Sequence, residues 1–167
     1  MRCIFLRLDG LDDGVKEFRE RHDPQARLVE PHITLVFPFE SGLSDRTLQD
    51  HAGAVASRVD PFFISFGPPT VHEEHLYLPL QSGSDLVREL HDCLYSGPLK
   101  SFLLDVPYVP HVTIAQGEPT ELIKKRPEAE ALCAEQQIRI STMMLERIGD
   151  SGQSIPIAEF VIGRGLT

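Results

Sequence analysis

The sequence predicts an α+β fold of two lobes with largely antiparallel sheets, and three observations predict it. A five-residue phrase occurs twice, as Pro31-His32-Ile33-Thr34-Leu35 and Pro110-His111-Val112-Thr113-Ile114, its histidines 79 residues apart. Apolar residues recur with period two in some runs and with helical spacing in others, and these runs interleave along the chain. The resulting order is strand, helix, phrase-bearing strand, helix, two strands, then helix, phrase-bearing strand, helix, two strands. The second half therefore echoes the first, and no linker separates the lobes. Residues 1–167 are expected to form a single domain of two joined lobes, one phrase from each half, long enough to bury a core.

Taken in order, residues 2–8 alternate as a strand, with Ile4, Leu6 and Leu8 on one face and Cys3, Phe5 and Arg7 on the other. Asp12 or Asp13 caps a helix whose apolar face is Val15 and Phe18, and Pro24 ends it. His22, near that C-terminus, suits the helix dipole and is read as structural. The first phrase opens a strand at 32–39, and Ser41-Gly42 turns the chain. Ser44 begins a helix with Leu48, Ala52, Val55 and Val59 on one face, which leaves His51 solvated. Strands at 62–66 and 75–80 flank Gly67-Pro68-Pro69. A helix over 84–95 buries Leu86, Leu90, Cys93 and Leu94, with His91 at its surface or boundary. Gly97-Pro98 ends that helix, and the second phrase lies in a strand at 108–115. Pro119-Thr120 opens a helical stretch that Pro127 should kink or split. Two strands, at 137–147 and 155–162, finish the chain around the turn at 149–152.

Composition narrows the function. Charged residues are 25% and hydrophobic residues 41%, ordinary globular usage that argues against disorder. Net charge is −9 with the acid spread over both halves, so binding along a long nucleic-acid duplex is not expected. A single phosphate end needs only local positive charge. Cys3, Cys93 and Cys133 are odd in number and scattered, which fits a reducing cytoplasm rather than a disulfide or zinc framework. The apolar run Ile4-Phe5-Leu6 is too short for a signal peptide or a membrane span.

In a strand, residues i and i+2 share a face, so each phrase sets a His and a Thr side by side, about 6.6–7 Å apart at Cα. Pro suits a strand start and Thr suits a strand, but neither preference explains a His at both positions. Two such strands related by a pseudo-two-fold axis bring two imidazoles and two hydroxyls around one small space. Cleaving a phosphodiester needs a base for the attacking oxygen and an acid for the leaving one, and histidine serves as either near neutral pH. Thr34 and Thr113 can hold the non-bridging oxygens. Tyr108 either lines the cleft, stacking on a base, or is buried. His72-Glu73-Glu74-His75 invites a metal reading, but zinc proteases of that type space their histidines i, i+4 on a helix. Here the spacing is i, i+3 in a hairpin, so a solvated turn is expected, one that can also border the cleft, and no metal site.

The two phrases resemble the paired signatures of the two-histidine (2H) phosphoesterase superfamily, which includes the 2′-5′ RNA ligase-like enzymes. The element order extends that resemblance over nearly the whole chain. It implies a bilobal, pseudo-two-fold fold in which two antiparallel sheets with flanking helices enclose a central cleft. It also implies a metal-independent enzyme, without cofactor, that acts on 2′,3′-cyclic or 2′-5′ phosphodiesters at nucleotide or RNA ends. By position, His32 and His111 are its catalytic histidines and Thr34 and Thr113 its phosphate-holding hydroxyls. Some members carry a basic residue just after a motif, where this chain has Val36 and Gln116. The stretch from Arg21-His22-Asp23-Pro24 through Phe37 looks most like an uncharacterised bacterial branch. The reading from a different class is a nucleotide- or RNA-end-binding module with the same cleft and no turnover.

Overall fold

In a computed structural model, which describes residues 1–163, nine strands and four α-helices follow one another. The strands are β1 (Arg2–Arg7), β2 (His32–Phe39), β3 (Phe62–Phe66), β4 (Thr70–His72), β5 (His75–Ser82), β6 (His111–Gln116), β7 (Gln137–Ile140), β8 (Thr142–Ile148) and β9 (Ser154–Val161). The helices are α1 (Asp13–His22), α2 (Asp45–Ala56), α3 (Ser84–Leu94) and α4 (Pro119–Cys133), with a 3₁₀ turn at Gly97–Phe102.

Local chemistry explains the helix starts. Asp12 accepts from the Gly14 N–H (2.8 Å) at the head of α1, and Ser44 Oγ accepts from the Thr47 N–H (3.1 Å) at the head of α2. Pro119 opens α4, where its missing N–H costs nothing. The α+β class holds, with every strand pairing antiparallel in two sheets. The first sheet runs β2-β1-β8-β9. In the second, β5 pairs with β6 on one edge and with β4 and β3 on the other, and β3 continues to β7. One core joins both sheets and the helices, including Leu6, Ile33 and Leu35 from the first sheet, Leu78, Val112 and Ile114 from the second.

β2 and β6 each pair with a single strand, so both are edges, and they meet where the sheets meet. Each connecting helix crosses over. α1 joins β1 to β2 yet packs on β6, and α3 joins β5 to β6 yet packs on β2. The free edge of β2 is capped by tyrosines, the Phe37 N–H donating to Tyr95 Oη (3.1 Å) and Tyr108 Oη donating to the Thr34 carbonyl (2.7 Å). An unpaired strand edge is thereby closed to other chains.

Several expectations are corrected. The run at 137–147 is two strands that break at Ser141 and enter different sheets, β7 the second and β8 the first. β4 is an additional strand. α4 passes through Pro127 unbroken, because Pro127 lies on its exposed side and the carbonyl one turn back, on exposed Ile123, can turn to water. The stripe of α3 runs Val87, Leu90, His91 and Leu94, with Leu86 and Cys93 only half-buried. His91 is thus in the interior, stacked on Tyr108 with ring centroids 3.8 Å apart. His51 is held between helices, its Nε2 2.8 Å from the Leu94 carbonyl. Among the described residues, no helix is long and apolar enough to cross a membrane.

Candidate functional site

Burial alternates identically along the two phrases. Ile33 and Leu35, like Val112 and Ile114, are fully buried, while His32, Thr34, His111 and Thr113 stand half-exposed on the opposite face. Pro31 and Pro110 are buried just before them. The pairing also repeats. Thr34 lies opposite Phe5 and Thr113 opposite Tyr77, and one step on the register shifts, so Val36 faces Ile4 and Ala115 faces Leu76. Each phrase strand therefore bulges at the residue after its threonine, Leu35 or Ile114. Bulges of this kind re-aim side chains beside sites.

The aromatic residue opposite each threonine packs on the neighbouring histidine. Phe5 lies 4.8 Å from His32 between ring centroids, and Tyr77 stacks on His111 at 3.8 Å. Neither was singled out from the sequence. The available signal was an aromatic on the outward face of the strand that precedes each phrase.

The imidazoles are oriented by backbone. His32 Nδ1 donates to the Glu30 carbonyl (2.7 Å), and His111 Nδ1 donates to the Val109 carbonyl (2.6 Å). A carbonyl oxygen only accepts, so Nδ1 carries the proton in both rings and Nε2 is left with a lone pair. The residue before each acceptor is pinned by an arginine: Arg19 donates to the Val29 carbonyl (2.8 Å) and Arg88 to the Tyr108 carbonyl. Both arginines come from the crossing helices, α1 and α3.

Burial pushes the pKa of both histidines below the ordinary value, against the opposing effect of the carbonyl each one bonds. The charge of His111 also lowers His32, and His75 and His72 lower His111. The charges of the two motif imidazoles thus oppose each other. A cavity of about 330 Å³ beside His32 and Thr34 is lined by Phe5, Cys3, Val29 and Ser154 among others.

Tyr108 is tied to β2 by its hydroxyl, which donates to the Thr34 carbonyl, and its ring stacks on His91. His72 and His75 face each other across the β4–β5 hairpin, and His75 stacks on the Tyr77 that also packs on His111. No third donor joins them, for among the described residues no three of His, Cys, Asp or Glu cluster as a metal site.

Comparison with known proteins bears on the family and the fold. The family model for the 2′-5′ RNA ligase superfamily matches residues 8–147. A "putative phosphoesterase" of Geobacillus thermodenitrificans is 32% identical over 116 residues, which is 65% of this chain and 64% of the relative. One from Bacillus licheniformis is 31% identical over 113 residues, 64% of each. The matches thus span less than two thirds of these relatives' own length. The solved structure of E. coli LigT in apo form superposes with a TM-score of 0.65 at 16% identity, over 97% of this chain and 96% of LigT. A crystal structure described as a phosphoesterase gives 0.67 at 14% identity, over 97% and 98%. At such identities the likeness is one of fold.

Proposed function

This chain belongs to the 2′-5′ RNA ligase superfamily, the two-histidine phosphoesterases, and from that premise we propose that it cleaves or forms 2′,3′-cyclic or 2′-5′ phosphodiester bonds at nucleotide or RNA ends by metal-independent acid–base catalysis. One observation carries the reading: His32 and His111 stand in matched frames, each Nδ1 spent on a carbonyl two residues back and each Nε2 left to act. In hydrolysis of a cyclic phosphate, one Nε2 takes a proton from water as its oxygen bonds to phosphorus. The other, protonated, gives its proton to the ribose oxygen as the opposite P–O bond breaks. The histidines end with their protonation exchanged, so the same pair serves the reverse, bond-forming direction. The Thr34 and Thr113 hydroxyls donate to the non-bridging oxygens, where charge is held in the transition state.

The nucleotide class draws support from LigT, which shares the fold and has been solved with 3′-AMP and with NADP⁺. With Cys3, Cys93 and Cys133 all free, a reducing cytoplasm is the compartment proposed. The test is turnover in EDTA of 2′,3′-cyclic mononucleotides and of an RNA with a 2′,3′-cyclic end. His32→Ala and His111→Ala should each lower the rate about 10²–10⁴-fold with the fold kept. Activity that survives both changes, or absent from the unaltered protein, overturns the reading.

A further inference from the structure

A second cavity, of about 510 Å³, adjoins the one at His32, and Phe5, Val29 and Ser154 line both. Its volume lies in the usual range for small-ligand sites. On one side it is walled by Phe5 and Met144 of the first sheet, buried apolar side chains; on another by Leu28 and Val29 of the loop that leads into β2. These apolar walls suit a flat ring, and Arg7, Glu20, Arg27 and Glu30 line much of the rest.

Into this space reaches Glu146, on β8 opposite Cys3 of β1. It is only 6% exposed, and its Oε2 has no hydrogen-bond partner. Burial raises its carboxyl above the ordinary range. Arg7, the cation whose charge bears on it, already holds Asp9 (2.6 Å) and Glu159 (2.8 Å). A buried carboxylate oxygen without a donor is costly, and native folds seldom keep one without a reason. Nothing in the proposed chemistry uses it.

We propose that this cavity is a nucleobase subsite in which Glu146 accepts the N–H donors of a guanine edge while the phosphate lies at His32. Guanine presents N1–H and the N2 amino group side by side, two donors facing one carboxylate. Adenine and cytosine set their amino group beside a ring acceptor, and uracil puts a single N–H between two carbonyls that the carboxylate repels. The assignment rests on the reading of the cleft as a nucleotide phosphoesterase.

Calorimetric titration with 3′-GMP, 3′-AMP, 3′-CMP and 3′-UMP tests it, on the unaltered protein, Glu146→Gln and Glu146→Met. The unaltered protein should bind 3′-GMP tightest. Either change should shrink the 3′-GMP to 3′-UMP affinity ratio about ten- to hundred-fold, the worth of hydrogen bonds to a charged group. Equal affinity for all four, no binding of any, or a ratio untouched by both changes overturns the subsite. Turnover of the four 2′,3′-cyclic nucleotides separates the two readings. Equal turnover of all four keeps the phosphoesterase and removes the subsite, whereas a Glu146-dependent guanine preference in binding without turnover keeps the subsite and removes the phosphoesterase.

Discussion

His32 and His111 enter the folded protein with pKa values pushed below the ordinary histidine range, and His22 shares the direction for the same reason, burial. The unfolded chain, titrating near 6.5, then binds more protons than the folded one between that pH and the depressed values. The stability from these groups is therefore present above about pH 6.5 and is lost as pH falls through the window below it. Thermal unfolding from pH 8 to pH 5 should show a falling midpoint, with a shallower fall in His32→Ala and His111→Ala; equal slopes would mean that other groups govern the decline. The two backbone-pinning arginines differ in cost. Arg19 forms a buried pair with Asp23 (2.9 Å), both side chains at most 4% exposed, whereas Arg88 is exposed. Arg19→Met strands a buried charge and should cost about 3–5 kcal/mol, Arg88→Met about 1 kcal/mol, read from urea unfolding. Equal losses would contradict the asymmetry. The His and Thr of each phrase were legible because strand alternation fixes their common face from sequence alone. The holds of Arg19 on Val29 and of Arg88 on Tyr108 were not, because those partners are carbonyls, which every residue has. The burial of Glu146 depends on what packs over it, and its strand neighbour Cys3 lies far away in sequence.

Single elements show where periodicity informs and where it fails. Ser44 and Asp12 announced their helices because a capping side chain acts within its own turn. The break at Ser141 left no mark, since both flanking segments read as strand and only their partners differ. The paired bulges at Leu35 and Ile114 were equally silent: a bulge belongs to two strands at once. Gly83, between β5 and α3, is a more demanding joint. Its φ is +76°, and a Cβ there would lie 2.7 Å from the Phe63 carbonyl oxygen. Gly83→Ala should cost about 2 kcal/mol or more in urea unfolding, from the left-handed backbone and the clash together. Gly42, with open space around its would-be Cβ, is the control and should change by less than about 0.5 kcal/mol. Similar losses at both would show that the joint is not strained.

Over the whole molecule, the two-fold repeat was readable because it is written as a repeat, yet the sheets are not the two sequence halves. The first sheet takes β1 and β2 from the start of the chain and β8 and β9 from its end, while β3 to β7 build the second between them. No local pattern records that crossing. Arg2 pairs with Arg147, so the strand at the heart of the first sheet finds its second neighbour across nearly the entire length. Pairings so distant are slow to form. On a ribosome, the strands of the second sheet are all made by Ile140, while β1 still waits with one side bare for β8. The hollow at His32 needs Ser154 and Gly152 to complete its wall. A nascent chain thus carries its first histidine from the outset but has nowhere to seat a ligand against it until the last strands have been synthesised.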